Sequence, residues 1–298
     1  MFMEAYSIPR RIWRIIYPPL IYAAVGYAVI FAFILTFAFY IGVWDVLGGN
    51  IGFKPVFATV EEIISFVESN ALWFQLAACV ACMAVFLPMW LGMRKKITQY
   101  SGNRMSPSVV LLVCGAGTGA YFLIVLIIGA LDLLRFFPSY EALEDVLYSS
   151  GFVVRFLVMG MAAPVAEELC FRGIVLNRLL GWLPKWAAVL ICSVLFGLIH
   201  LNPLQSIYAA MAGVAFSLLY VRFRNLGLCI IGHMAFNLLS VILAEFSGGE
   251  GIAGWALLIL FALALGVVCV RGLVRRPAAV PKITEEPFSA ESTPGLPD

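Results

Sequence analysis

Eight apolar runs set the terms for this chain, at about 19–44, 71–93, 108–131, 151–180, 184–201, 204–222, 226–245 and 252–273. A helix that crosses a bilayer needs about 20 mainly apolar residues, because its backbone polar groups must be satisfied where there is no water. Each run meets or approaches that length. Only 12% of the 298 residues are charged, about half the fraction of a soluble domain, and the mean hydropathy is +1.00. These features predict an all-α polytopic membrane helical bundle of about eight transmembrane helices. The first run is too long for the apolar part of a signal peptide and ends without a small-residue cleavage site, so it reads as a retained span.

Charge orders the connections. Arg10, Arg11 and Arg14 precede the first run; Arg94, Lys95, Lys96 and Arg104 follow the second; Arg178 and Lys185, then Arg222 and Arg224, then Arg271, Arg275, Arg276 and Lys282 fall at later alternate turns. The intervening loops are acidic, with Asp45, Glu61, Glu62, Glu68, Asp132, Glu141, Glu144, Asp145, Glu245 and Glu250, and Lys54 and Arg135 are their only clear bases. Basic loops stay in the cytoplasm, so both termini are expected there. The net charge of +2 is divided by loop instead of gathered on one face, which argues against a nucleic-acid partner.

The chain therefore divides into a basic N-terminus (1–18), three spans with outer loops (19–150), a four-span segment (151–245), a last span (252–273) and a Pro-rich tail (277–298) expected to be disordered. The acidic loops at about 45–70 and 132–150 read equally as short amphipathic helices or as solvated connectors. Gly115 and Gly119 form a small-xxx-small pattern that lets helices approach closely. Seven cysteines, all within apolar runs, do not make a disulfide framework. Cys79 and Cys82 have redox spacing but no polar neighbours, and read as core residues.

One stretch resists this apolar pattern. Glu167, Glu168 and Arg172 place three ionisable residues in six positions of the fourth run. Each costs about 2.5–3.5 kcal/mol at the centre of a membrane helix, so they must face a protein interior or a wet cavity. Glu168 and Arg172 are four apart and can pair along one helix, which turns Glu167 to another face. The chain has two histidines, His200 and His233, both in later runs. In an antiparallel hairpin turning near Leu183, Glu167 and His200 lie at similar height. His233 and Asn237 share a helix face, as do Phe196 and His200. His233, however, lies closer to its basic turn than the other two lie to theirs. Either the hairpin of spans four and five projects from the membrane, or Pro164 kinks span four.

A carboxylate beside a histidine in a wet cavity can act as a general base on water. A second histidine with an asparagine can donate hydrogen bonds to a developing oxyanion. That is the equipment of an amide hydrolase without a covalent nucleophile. The pattern Glu167-Glu168-xxx-Arg172, Phe196-xxx-His200 and His233-xxx-Asn237, with Asn202-Pro203 after the second motif, resembles the CPBP intramembrane glutamic proteases, the CAAX-prenyl-protease-2 and bacteriocin-processing (Abi) group. The resemblance covers about 150–245. It implies that Glu167 activates water with help from His200, that His233 and Asn237 form the oxyanion site, and that Glu168, Arg172 and Phe196 support them. It implies no cofactor and no metal, a peptide or membrane-protein substrate that is prenylated in the eukaryotic reaction, and here a bacterial cytoplasmic (inner) membrane.

Two rival readings stay open. Two histidines and a glutamate could bind zinc, although the His-Glu-xx-His helix is absent. A non-catalytic immunity or partner-binding membrane protein is the other. A transporter is disfavoured, since paired broken helices in two halves are not evident.

Overall fold

The computed structural model describes residues 6–47, 60–97, 100–101, 105–246 and 252–281. The helices are, in chain order, α1 (Ile8–Leu47), α2 (Val60–Ser69), α3 (Ala71–Ile97), α4 (Pro107–Ala130), α5 (Ser139–Tyr148), α6 (Phe152–Leu180), α7 (Lys185–Leu198), α8 (Pro203–Phe223), α9 (Leu226–Phe246) and α10 (Ile252–Arg275). A two-residue antiparallel pairing of β1 (Tyr100–Ser101) with β2 (Val280–Pro281) is the one extended feature among the described residues. The protein is an all-α polytopic membrane bundle.

A helix stands at each of the eight predicted runs. Six of them (α1, α3, α4, α8, α9 and α10) are long and apolar enough to cross a membrane. The acidic connectors are helical too, as α2 and α5. The pair α5–α6 passes the same test only if joined across a bend of 108°. With 14 residues, α7 is about 21 Å long, short of a hydrocarbon core about 30 Å thick. Local chemistry truncates it. Leu201 takes a left-handed φ of 58°, and Asn202 caps α8 by accepting from the Gln205 N–H at 3.2 Å, with Pro203 at the first helical position. His200 therefore lies in the turn after α7 and not inside a span.

The basic turns gather at one end of the bundle. There the Arg222 guanidinium donates to the carbonyls of Leu273, Val274 and Arg276. At the same end Arg276 donates to Ser108 at the start of α4. Arg178 reaches the Arg14 carbonyl and the Tyr17 hydroxyl of α1. At the opposite end Asn202 donates to the Ser139 carbonyl of α5, and Arg155 pairs with Glu245. The described parts of the acidic loops belong to this second end. Of the expected tail, residues 277–281 are described; 282–298 lie outside the described residues, as do Lys54 and the 48–59 part of the first acidic loop.

Outward sides of α4 and α10 expose Leu111, Leu257, Phe261 and Val268, which suits lipid as the solvent. Their inward sides meet through glycine. A Cβ built on Gly119 would lie 2.6 Å from Gly266 Cα, and one on Gly266 2.8 Å from Gly119 Cα. Replacing Gly119 by Leu should cost at least about 1–3 kcal/mol by overpacking, read as a lower unfolding temperature in nanodiscs. Gly92→Leu, where no atom lies within 4 Å, should leave that temperature unchanged. Equal stability of the two variants would contradict the close crossing.

Candidate active site

The polar residues are presented by α6, which is not a regular helix. Two π turns, Val158–Ala162 and Phe171–Leu176, flank the α-helical piece Ala163–Cys170 that carries Glu167 and Glu168. Such turns insert an extra residue and re-aim the side chains around them. The first has a local cause. The Ala163 N–H reaches back to the Val158 carbonyl, so the next donor in that register would come from residue 164, a proline without an N–H. The Met159 carbonyl is left over, and the Asn237 side-chain amide donates to it at 2.9 Å. At the second turn the Asn177 amide donates to the carbonyls of Arg172 and Gly173, at 2.9 and 3.0 Å. Pro164 thus acts through a π turn, and α9 supplies the missing donor.

Glu168 and Arg172 pair as the four-residue spacing requires, with Nη1 donating to Oε1 at 2.6 Å, and both side chains fully buried. Arg172 Nη2 donates to the Gly213 carbonyl at 3.0 Å, and its guanidinium lies 4.6 Å from the Phe196 ring centroid. His233 joins the same carboxylate, since its Nδ1 lies 2.9 Å from Glu168 Oε1. A carboxylate accepts, so Nδ1 is the donor and Nε2 turns the other way. Phe216 stacks on the ring at a centroid distance of 4.6 Å, and Phe196 meets it edge-on at 5.7 Å. The imidazole is held on three sides.

Glu167 points elsewhere. It is 7% exposed and borders a cavity of about 590 Å³. One oxygen, Oε1, accepts from the Tyr22 hydroxyl at 3.4 Å; the other lies 3.7 Å from His233 Nε2. His200 and Asn237 border the same cavity. The His200 ring is tethered through Nδ1 to the Phe196 carbonyl at 2.9 Å, closing the C-terminal turn of α7. Among the described residues no hydrogen bond or ion pair joins Glu167 to His200, although both border the cavity. The structure brings Glu167, His233 and Tyr22 into one cluster and Glu168, Arg172 and His233 into another, with His233 common to both. Among the described residues no group of three or more His, Cys, Asp or Glu side chains is placed to hold a metal.

With this geometry in view, residues 149–239 match the profile of the family described as type II CAAX prenyl endopeptidase, Rce1-like. The match covers about a third of the chain and supports a relation to the CPBP/Abi family. A protein of Bacillus subtilis (strain 168) named "Putative membrane peptidase YdiL" is 24% identical over 187 residues, covering 60% of this chain and 74% of that protein. No solved structure matches the chain. The protein is a membrane protein similar to membrane peptidases, and every polar residue of the three motifs falls inside the matched segment.

Two participants lie outside that segment, and no sequence motif marks either. Tyr22 reaches the Glu167 carboxylate from α1 across 145 positions of sequence; a tyrosine in an apolar run carries no motif. Its ring stacks on Phe86, which holds the hydroxyl in place. The short helix α5 borders the cavity with Tyr140, Glu144 and Tyr148. A third feature, the Arg155–Glu245 pair between α6 and α9, lies in the same polar run but bears on packing, with the Arg155 guanidinium 5.2 Å from the Tyr148 ring.

Proposed function

We propose that the protein is an intramembrane glutamic endopeptidase that hydrolyses a peptide bond of a peptide or membrane-protein substrate. The observation that carries this reading is the division of labour between neighbouring glutamates. Glu168 is spent on Arg172 and His233, while Glu167 faces the cavity and has a tyrosine hydroxyl and an imidazole as its polar partners among the described residues. A carboxylate so placed can take a proton from a water, whose oxygen then attacks the scissile carbonyl carbon. His200, which borders the same cavity, assists. With its Nδ1–H given to Phe196, the neutral ring presents the Nε2 lone pair, which can guide the water or carry its proton toward the leaving amine.

The oxyanion formed by that attack needs donors. Asn237 lends one N–H to Met159 and has a second available. His233 can donate through Nε2 only as the imidazolium, because its Nδ1–H already serves Glu168; the Glu168 and Glu167 carboxylates flank that charge. Donors held by protein partners before the reaction act without reorganisation.

The test is hydrolysis of a mixed peptide library by the purified full chain in lipid nanodiscs, read by mass spectrometry. Cleavage that persists with a strong chelator and disappears in the Glu167→Gln variant is expected. Loss of cleavage with the chelator would instead favour a metal enzyme. A second expectation concerns Tyr22. Removing its hydroxyl as Tyr22→Phe takes away a hydrogen bond to a charged group, worth about 1–2 kcal/mol or about 5–30-fold. The loss should fall on kcat, with KM little changed; an unaltered kcat would remove Tyr22 from the site.

Much of the cavity wall comes from helix ends away from the basic turns and from α5, and with the positive-inside rule this supports a mouth on the extracytoplasmic side. Both termini are then cytoplasmic, in a bacterial inner membrane. A cysteine replacing exposed Glu141 on α5 should react with a membrane-impermeant maleimide in intact cells. One replacing exposed Lys185 at the α6–α7 turn should react only after permeabilisation. The reverse pattern would invert the topology.

A further inference from the structure

The mouth of the cavity has a charge character that the chemistry of peptide hydrolysis does not require. Its walls include two carboxylates, Glu167 at depth and Glu144 on α5, and neither Lys nor Arg occurs among the wall residues described. Exposed Arg135, in the turn before α5, is not among the wall residues, and four other arginines are engaged elsewhere. Arg172 belongs to Glu168, Arg155 to Glu245, and Arg178 and Arg222 to carbonyls at the far end of the bundle. Glu144 is half-buried, whereas its neighbours Glu141 and Asp145 on the same helix face solvent. Among the described residues Glu144 has no ion-pair partner.

The helix that carries Glu144 is held in place. The Asn202 amide donates to the Ser139 carbonyl at 3.3 Å, two residues beyond His200, and the Tyr140 ring meets Tyr208 edge-on at 6.0 Å. Tyr208 borders the cavity between α5 and the deep carboxylate, within electrostatic reach of both Glu144 and Glu167. Burial pushes the Glu144 carboxyl up from its ordinary value; Tyr140 pulls it back by hydrogen bonding, while Asp145 and Glu141 add to the rise. A partly desolvated carboxylate with no counter-charge gains most when a cation arrives.

We propose that Glu144 is a specificity-determining residue that receives a cationic group of the substrate, so that the cavity selects polypeptide segments carrying an ammonium or guanidinium near the scissile bond. Resting on the peptidase reading for the word substrate, this inference concerns binding and can be tested apart from it. The cation can come from a Lys or Arg side chain or from a free N-terminal amine. Both present the same positive charge to a carboxylate.

The experiment measures binding of fluorescent apolar peptides to the full chain in nanodiscs. One series carries a single Arg, Lys, Ala or Glu, and each peptide is made with a free or an acetylated N-terminus. The Glu167→Gln chain is used for binding so that cleavage does not intervene, and the wild type is assayed for cleavage in parallel. Cationic peptides should bind about tenfold more tightly than their Glu counterparts. Comparing acetylated with free peptides shows whether the side chain or the terminal amine supplies the charge. Adding Glu144→Gln should bring the ratio close to one, Glu144→Asp should keep it, and Glu144→Lys should invert it in favour of acidic peptides. A misfolded variant cannot invert a preference, and Glu144→Gln serves if Glu144→Lys does not fold. A ratio near one in the starting chain, or one that Glu144→Gln leaves intact, overturns the proposal. Selective binding without wild-type cleavage would overturn the peptidase reading and leave this inference standing.

Discussion

Replacing Glu167 by Gln should lower peptide-bond hydrolysis by about 10²–10⁴-fold, the usual contribution of a positioned general base, while the protein keeps its fold. Glutamine has the same shape and can still accept from the Tyr22 hydroxyl now 3.4 Å from Oε1. It cannot take a proton from water. Because Glu167 makes no ion pair with Arg172 and faces a cavity instead of dry core, the unfolding temperature should move little. That separation of rate from stability is what a catalytic carboxylate predicts. An isosteric change that lowered both together would mean that Glu167 is part of the framework.

Glu168 should behave in the opposite way. Glu168→Ala removes the carboxylate shared by Arg172 Nη1 and His233 Nδ1, leaving a fully buried guanidinium without its counter-charge. Breaking a buried pair from one side costs about 3–5 kcal/mol, enough to deplete folded protein in the membrane. The double variant Glu168→Leu, Arg172→Met replaces the pair by apolar groups of similar size, which is often neutral or stabilising. It should recover much of the lost unfolding temperature but not the activity, because His233 loses the acceptor that orients its ring. Recovery of both would show that the Glu168–His233 contact has no part in the reaction.

These two contrasting glutamates were legible in the sequence because α-helical spacing is a local property. A four-residue interval pairs Glu168 with Arg172, and one step of about 100° turns Glu167 away. The span positions were legible for a similar reason, since length and hydropathy of a run state what the membrane demands. Other features depend on partners distant in sequence. No interval predicts that α6 passes through two π turns, because the first is stabilised by Asn237 of α9 accommodating the carbonyl that Pro164 leaves unpaired. The meeting of Glu167 with Tyr22 depends on how α1 packs against α6. His200 was expected within a helix. The left-handed Leu201 ends α7 early and ties the ring to the Phe196 carbonyl instead. The acidic loop before α6 was read as helix or connector with equal weight, and its role as a wall of the cavity follows only from the bend of 108° after it.

Glu167 is proposed to drive proteolysis in the membrane. The most direct measurement compares new protein N-termini in membranes from cells making the wild type or Glu167→Gln at matched levels. Neo-N-termini present with the wild type and lost in the variant are the predicted result, and they would identify the cleaved substrate. The same cleavages surviving in Glu167→Gln, or none in either sample with both proteins folded, would contradict it.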